Sequence, residues 1–320
     1  MIPPGILDDI HQDPFLAYMH PQVIQFDRYL DWISRMTINI KGIRYNPDIP
    51  GDLMPVDEDI GYITRWSKKY DNRILEKLYN WKYHYLENPD QVPRFTMMVT
   101  YTGAHASPRS PGKKGLRHMA YLAKFHEAHR KGRNLIRKYI DPRINLSVLE
   151  GHPESGYVHS HDLYFLDFMP SQHDQDTIMH HWTDTLGMGS QERGIQLGIR
   201  EPRDFKEIQS LIAYPMAYLG KSSIGDLTEW TKYDAVFNTC LWLSPKHPLK
   251  GGIGHQVRAF QPSRALSSIM AHRTEERGYI HIETTMRDMM TSSEPAILYR
   301  CPDYKQNIQN YDNLVGEETL

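Results

Sequence analysis

Two histidines two residues apart, His159 and His161, lie in the stretch Tyr157-Val-His-Ser-His-Asp-Leu-Tyr-Phe165. Side chains along a strand alternate between faces, so an extended run puts His159, His161, Leu163 and Phe165 on one side. Gly151 to Gly156, with Pro153, carries turn signals, and Val148 to Glu150 reads as the end of a preceding strand. Pairing of the two strands with Glu150 opposite Tyr157 or His159 brings its carboxylate to the face of the imidazoles. Two imidazoles and a carboxylate on a rigid support form a metal site with open positions for water or a phosphate oxygen. The chain has 17 histidines in 320 residues. About one His-x-His pair is then expected by chance, so the pair draws its meaning from its surroundings.

A second group with chemical potential is Tyr214-Pro-Met-Ala-Tyr218-Leu-Gly-Lys221. Spacings of four and three put Tyr214, Tyr218 and Lys221 on one face of a helix, although Pro215 should kink that helix or restart it. Such a stripe is ordinarily an amphipathic boundary. Gly220-Lys-Ser222 imitates the end of a phosphate-binding loop, but Pro215 stands where that motif needs glycine, so no ATP site is expected. The third group is a cationic window from Arg109 to Arg143. It includes Lys113, Lys114, Arg117, Arg130, Lys131 and Arg133 and contains only Glu127 and Asp141 as acids. A charge run is usually a solvated face, but one this lopsided in a chain of net charge −2 points to a polyanion.

The elements that must position these groups follow from pattern. Phe95 to Tyr101 is a compact β run closed by Gly103, and Leu116 to Tyr139 is a long helix. Gln172 to Leu186 is helical, Ile195 to Ile199 a strand, and Phe205 to Ser222 a helix. Upstream, Gln22 to Met36 is a short helix and Asn46 to Asp59 an acidic, proline-broken linker. Gly61 to Leu86 is a helix whose Ile74, Leu78 and Trp81 form a core stripe. Downstream, Tyr279 to Glu283 and Ala296 to Tyr299 are short strands, and the tail from Asp312 frays. No membrane-spanning run or signal peptide is expected. Two distant cysteines, Cys240 and Cys301, fit a reducing cytoplasm rather than a zinc ribbon or disulfide scaffold.

The order of these parts resembles the HUH endonucleases, specifically the rolling-circle replication initiators of prokaryotic plasmids and viruses. Phe95 to Tyr101 is similar to their first motif. Glu150 with Gly156-Tyr-Val-His-Ser-His161 is similar to the second, and Tyr214 to Lys221 to the third. Arg258-Ala-Phe-Gln-Pro-Ser-Arg264 is similar to a basic stretch that follows the tyrosines in many such proteins, which adds Arg258 and Arg264 to the DNA-binding candidates. The middle residue of the His-x-His is usually hydrophobic and is Ser160 here. The lysine that often precedes the second tyrosine is replaced by Ala217.

The resemblance implies an α+β, RRM-like domain over residues 91–265 with a central antiparallel sheet flanked by helices. Accessory segments at 1–90 and 266–320 complete the expected organisation. It implies Mg2+ or Mn2+ on Glu150, His159 and His161, and a tyrosine nucleophile, Tyr218 or Tyr214, supported by Lys221. The expected partner is single-stranded origin DNA, with a host helicase and polymerase, in a prokaryotic cytoplasm. The rivals are a single-strand transposase of the same superfamily, a non-catalytic RRM-like nucleic-acid-binding protein, and a metal-dependent hydrolase that does not use the tyrosines.

Overall fold

The computed structural model describes residues 1–45, 49, 51–61, 66, 68–103, 117–189, 194–202, 207, 208, 210, 229–246, 256–271, 278–290 and 294–318. It is a mixed α+β structure with two antiparallel sheets, one of four strands and one of five. The chain forms two compact units. One joins Met1–Asp27 to Asp71–Ala271, and the other joins Arg28–Tyr70 to His272–Leu320.

The larger unit is built on the sheet β6-β3-β5-β4-β7. Its strands are β3 (Phe95–Tyr101), β4 (Ile144–Gly151), β5 (Val158–Leu166), β6 (Ile195–Arg200) and β7 (Phe260–Pro262). β5 is central and all nine of its residues are buried. The helices are α1 (Pro4–Gln12), the first half of α2 (His20–Arg35), most of α3 (Lys68–Glu87), α4 (His118–Tyr139), α5 (Gln172–His180), α6 (Lys232–Leu243) and α7 (Arg264–Ile269). α5 continues into a π-turn over His181–Thr185. Capping boxes fix two of the starts, Ser171 with Asp174 for α5 and Thr231 with Asp234 for α6.

Helices cover the sheet from both sides. The face of Tyr101, Ser160, Asp162 and Tyr164 receives α4 through His129, and Gly151 on that face lets Phe237 of α6 approach so closely that a Cβ would lie 2.8 Å from it. The opposite face receives α3 at its lower end, where Trp81 meets Phe165 edge-on at 5.2 Å. Burying aromatic side chains of this kind contributes roughly 1.5–3 kcal/mol each, so Trp81 and Phe165 anchor that end of the sheet. The upper end of the same face carries the histidines.

The smaller unit is the sheet β2-β1-β8-β9, made of β1 (Met36–Tyr45), β2 (Leu53–Gly61), β8 (Gly278–Asp288) and β9 (Ala296–Arg300). The helix α8 (Tyr304–Glu318) packs Tyr304, Ile308, Tyr311 and Leu314 around Ile43 and Ile282. Two sequence expectations are corrected here. The stretch Asn46 to Asp59 is not a linker throughout, because β2 begins at Leu53. Its proline is tolerated because β2 is an edge strand, and its acids are matched across strands: Lys41 reaches Asp57 at 3.6 Å and Arg287 reaches Asp59 at 2.6 Å. The tail from Asp312 does not fray at that point but lies inside α8, held by the apolar stripe that reaches Ile43 and Ile282. Of the expected helix Phe205 to Ser222, nearly all lies outside the described residues.

Candidate metal centre

The centre is set by the pairing of β4 with β5. Glu150 is directly opposite His159, and Val148 is opposite His161. The turn between the strands holds this register: His152 N donates to the Tyr157 carbonyl at 2.8 Å and Gly156 N to the His152 carbonyl at 2.8 Å. Gly156 has φ +69, and a Cβ there would lie 2.9 Å from the Tyr233 carbonyl oxygen, so both backbone conformation and space call for glycine.

Glu150, His159 and His161 are all buried, and their candidate ligand atoms lie within 4.8 Å of one another. Both imidazoles converge on one carboxylate oxygen. His159 Nε2 is 2.6 Å and His161 Nε2 3.1 Å from Glu150 Oε1. Burial pushes the Glu150 carboxyl up, but hydrogen bonds from His159 and His161 and their charge outweigh it and hold the group at about 2. The carboxylate is therefore ionised across the neutral range.

Two buried polar atoms of the triad have no hydrogen-bond partner among the described residues, Glu150 Oε2 and His159 Nδ1. A buried unsatisfied carboxylate oxygen costs about 1–3 kcal/mol or more, and coordination to a cation removes that cost. An anionic oxygen with two imidazoles is also a ligand set for a divalent ion, so the residues fit a metal. On the far side of His161, its Nδ1 lies 3.1 Å from Thr100 Oγ1 of the neighbouring β3. A hydroxyl can donate or accept, so Thr100 serves His161 whether Nε2 donates to Glu150 or turns its lone pair to a cation. Thr100 is the supporting residue that residue types alone do not pick out; the strand register does.

Beside the centre, a groove of about 330 Å³ runs along β3 and β6, lined by Thr96, Met98, Thr100, Gln196, Gly198 and Arg200 among others. It presents hydroxyl, amide and guanidinium groups on the histidine face, next to the Thr100 that supports His161.

Comparison with protein families, with curated proteins and with solved structures finds no match. The centre is read from its own chemistry.

Ser160, the polar residue between the histidines, faces away from them. Its hydroxyl bonds to Asp162 and lies 3.1 Å from His129 Nε2. Asp162 is fully buried and also accepts from Ser147 Oγ at 2.7 Å and Tyr164 OH at 3.0 Å, with His129 Nε2 at 3.0 and 3.1 Å. Burial alone would raise its carboxyl; the charge and hydrogen bond of His129, then the charge of Arg133, hold it well below the usual range. β5 thus carries the two histidines of the candidate metal centre on one face and a buried ionic network on the other.

The remaining candidates separate by place. Tyr214, Tyr218, Lys221, Lys113 and Lys114 lie outside the described residues. Arg117 stands at the start of α4 with its guanidinium 5.0 Å from the Tyr18 ring centre. Lys131 pairs with Glu127 at 2.8 Å. Arg133 turns to the Asp162 network, 3.8 Å from Asp162 Oδ2. Arg130, Arg258 and Arg264 are exposed. The helix α4 that carries the basic stripe meets the sheet through His129, on the face opposite Glu150, His159 and His161. A buried histidine that the motifs pass over, His118, ties the N-terminal segment to the β4–β5 turn. It bonds to Tyr18, reaches the Ser155 carbonyl at 2.7 Å and stacks on Tyr157 at 4.2 Å.

Proposed function

We propose that this protein nicks and rejoins single-stranded DNA at a replication origin, forming a 5′-phosphotyrosine and a free 3′-hydroxyl that primes rolling-circle synthesis. The observation that carries the reading is the convergence of Glu150 of β4 with His159 and His161 of the central strand β5 in a five-stranded antiparallel sheet. Mg2+ or Mn2+ is the cofactor of this reading. Bound there, the ion supplies Lewis-acid polarisation of a non-bridging phosphate oxygen.

The chain's own groups do the rest. Thr100 and the buried strand pairing hold His161 and Glu150 in place. Arg200, Gln196 and Thr96 in the adjacent groove offer donors for the phosphates and base edges of the strand. Tyr218 is the nucleophile: its phenol gives up its proton to solvent, the oxygen bonds to phosphorus as the P–O3′ bond breaks, and the departing 3′ oxygen takes up a proton from solvent. Lys221, one helical turn from Tyr218 in the sequence pattern, steadies the phenolate. The phosphotyrosine conserves the energy of the broken ester, so rejoining needs no ATP. Unwinding and extension fall to a host helicase and polymerase.

The test is incubation of the full chain with circular single-stranded DNA and Mn2+. The expected result is protein covalently joined to a 5′ end, abolished by a chelator. His159→Ala should lower nicking about a thousandfold, because several kcal/mol of charge stabilisation is lost at about 1.4 kcal/mol per tenfold, while gel-shift affinity persists. Cleavage that leaves a free 5′-phosphate and no adduct would make the protein a metal-dependent hydrolase. Cleavage confined to the ends of a mobile element would make it a transposase.

A further inference from the structure

The basic stripe of α4 lies on the helix that packs against the sheet face away from Glu150, His159 and His161. His126, His129, Arg130, Arg133, Asn134 and Arg137 recur at helical spacing and, with Gln261 of β7, line a cleft of about 190 Å³. That is well above the roughly 30 Å³ share of a single water. Its floor is built: His129 is buried and bonded to Asp162, and Arg133 donates to Gln261 Oε1 at 2.9 Å. Arg133 Nε is itself buried and makes no hydrogen bond among the described residues. Its wall is open: Arg130 and Arg137 are exposed, and neither makes an ion pair with a carboxylate among the described residues.

Three guanidinium groups within two turns repel one another. Asp162, which Arg133 approaches at 3.8 Å, is already shared among His129, Ser147, Ser160 and Tyr164, and Glu127, which feels the charge of Arg130, is already paired with Lys131. The helix dipole accounts for a cation in the last turn, where Arg137 and Lys138 sit, but not for Arg130 and Arg133 further back. Lys131 belongs to the same charge run yet leaves the stripe to pair with Glu127. What remains is a concave surface with fork-shaped donors and an amide, a pattern that matches tetrahedral phosphate oxygens.

We propose that this cleft is a phosphate-binding site, which takes a single phosphate group either free or within a nucleic-acid backbone. It requires neither the metal nor a tyrosine and so stands apart from the nicking reaction.

The test follows the imidazole resonances of His126 and His129 by NMR in the full chain, free of divalent metal, at fixed pH. The probes are inorganic phosphate, a short oligothymidylate and the same oligomer with neutral methylphosphonate links. Saturable shifts with inorganic phosphate and with the charged oligomer, and none with the neutral one, are expected. Competition by inorganic phosphate would identify the free ion as a ligand; shifts from the charged oligomer alone would identify the backbone phosphodiester. Arg130→Gln with Arg137→Gln, both exposed and therefore compatible with folding, should weaken binding at least tenfold, while His159→Ala leaves it unchanged. Wild-type affinity in the double variant, or no shift with any charged probe, would overturn the site.

Discussion

Glu150 is the residue on which the centre turns. One of its oxygens receives both imidazoles while the other is buried without a partner among the described residues. Its carboxyl lies near 2 in the folded protein against an ordinary 4.5. Folding therefore favours the ionised form, so the stabilisation is complete above about pH 4.5 and is lost as pH falls through about 2. In metal-free protein, the unfolding midpoint should drop more steeply between pH 4.5 and 2 for the wild type than for Glu150→Gln. Parallel curves would mean that the imidazoles do not hold the carboxylate. Among the tyrosines, Tyr218 has Lys221 three residues on, whereas Tyr214 has Ala217 there and directly precedes Pro215. Tyr218→Phe should abolish the covalent adduct, and Tyr214→Phe should leave initial nicking largely intact. A trapped nucleotide found by mass spectrometry on Tyr214 alone would reverse the assignment.

At the scale of elements, the β4–β5 hairpin fixes the centre, and its turn is the sensitive point. Gly156→Ala meets both a positive φ of +69 and the Tyr233 carbonyl, so a loss of about 1–2 kcal/mol is expected in chemical denaturation, with weaker metal binding. A variant as stable as the wild type would show that the turn can shift freely. This hairpin was legible in the sequence because glycine and proline bracket an alternating run, and both Glu150 and the histidines fall on the face that alternation assigns. The choice between Tyr157 and His159 as the partner of Glu150 was not legible, since it depends on how the turn closes; the structure selects His159. Nor was the network on the reverse of β5. Asp162 draws on His129, 33 residues earlier, and no local pattern announces such a pairing. β2 was read as linker because proline and three acids mask its alternation, and those features are tolerable only at a sheet edge beside Lys41 and Arg287. The stripe of α8 was passed over because its apolar residues are interleaved with asparagine and glutamine.

At the scale of the molecule, the two units rest on different cores. Removing residues 304–320 would expose Ile43 and Ile282 and should destabilise the four-stranded sheet, while amide protection in β3, β4 and β5 persists. Hydrogen exchange would show this as faster exchange confined to β1, β2, β8 and β9; uniform loss of protection would mean that the units unfold together. Among the described residues no helix is long and apolar enough to cross a membrane. The pairing of β1 with β8 has one more consequence, for biosynthesis. Tyr45 pairs with Gly278, so the partner of β1 leaves the ribosome roughly 230 residues after it. At about 5–20 residues per second, the nascent chain presents β1 with one edge open for some 10–50 seconds. During that interval the β1–β2 hairpin is a template for pairing with other chains, and the acids of β2 guard only its outer edge. Slow translation therefore lengthens the exposure of this strand, and a holdase that binds extended segments shortens its opportunity to aggregate.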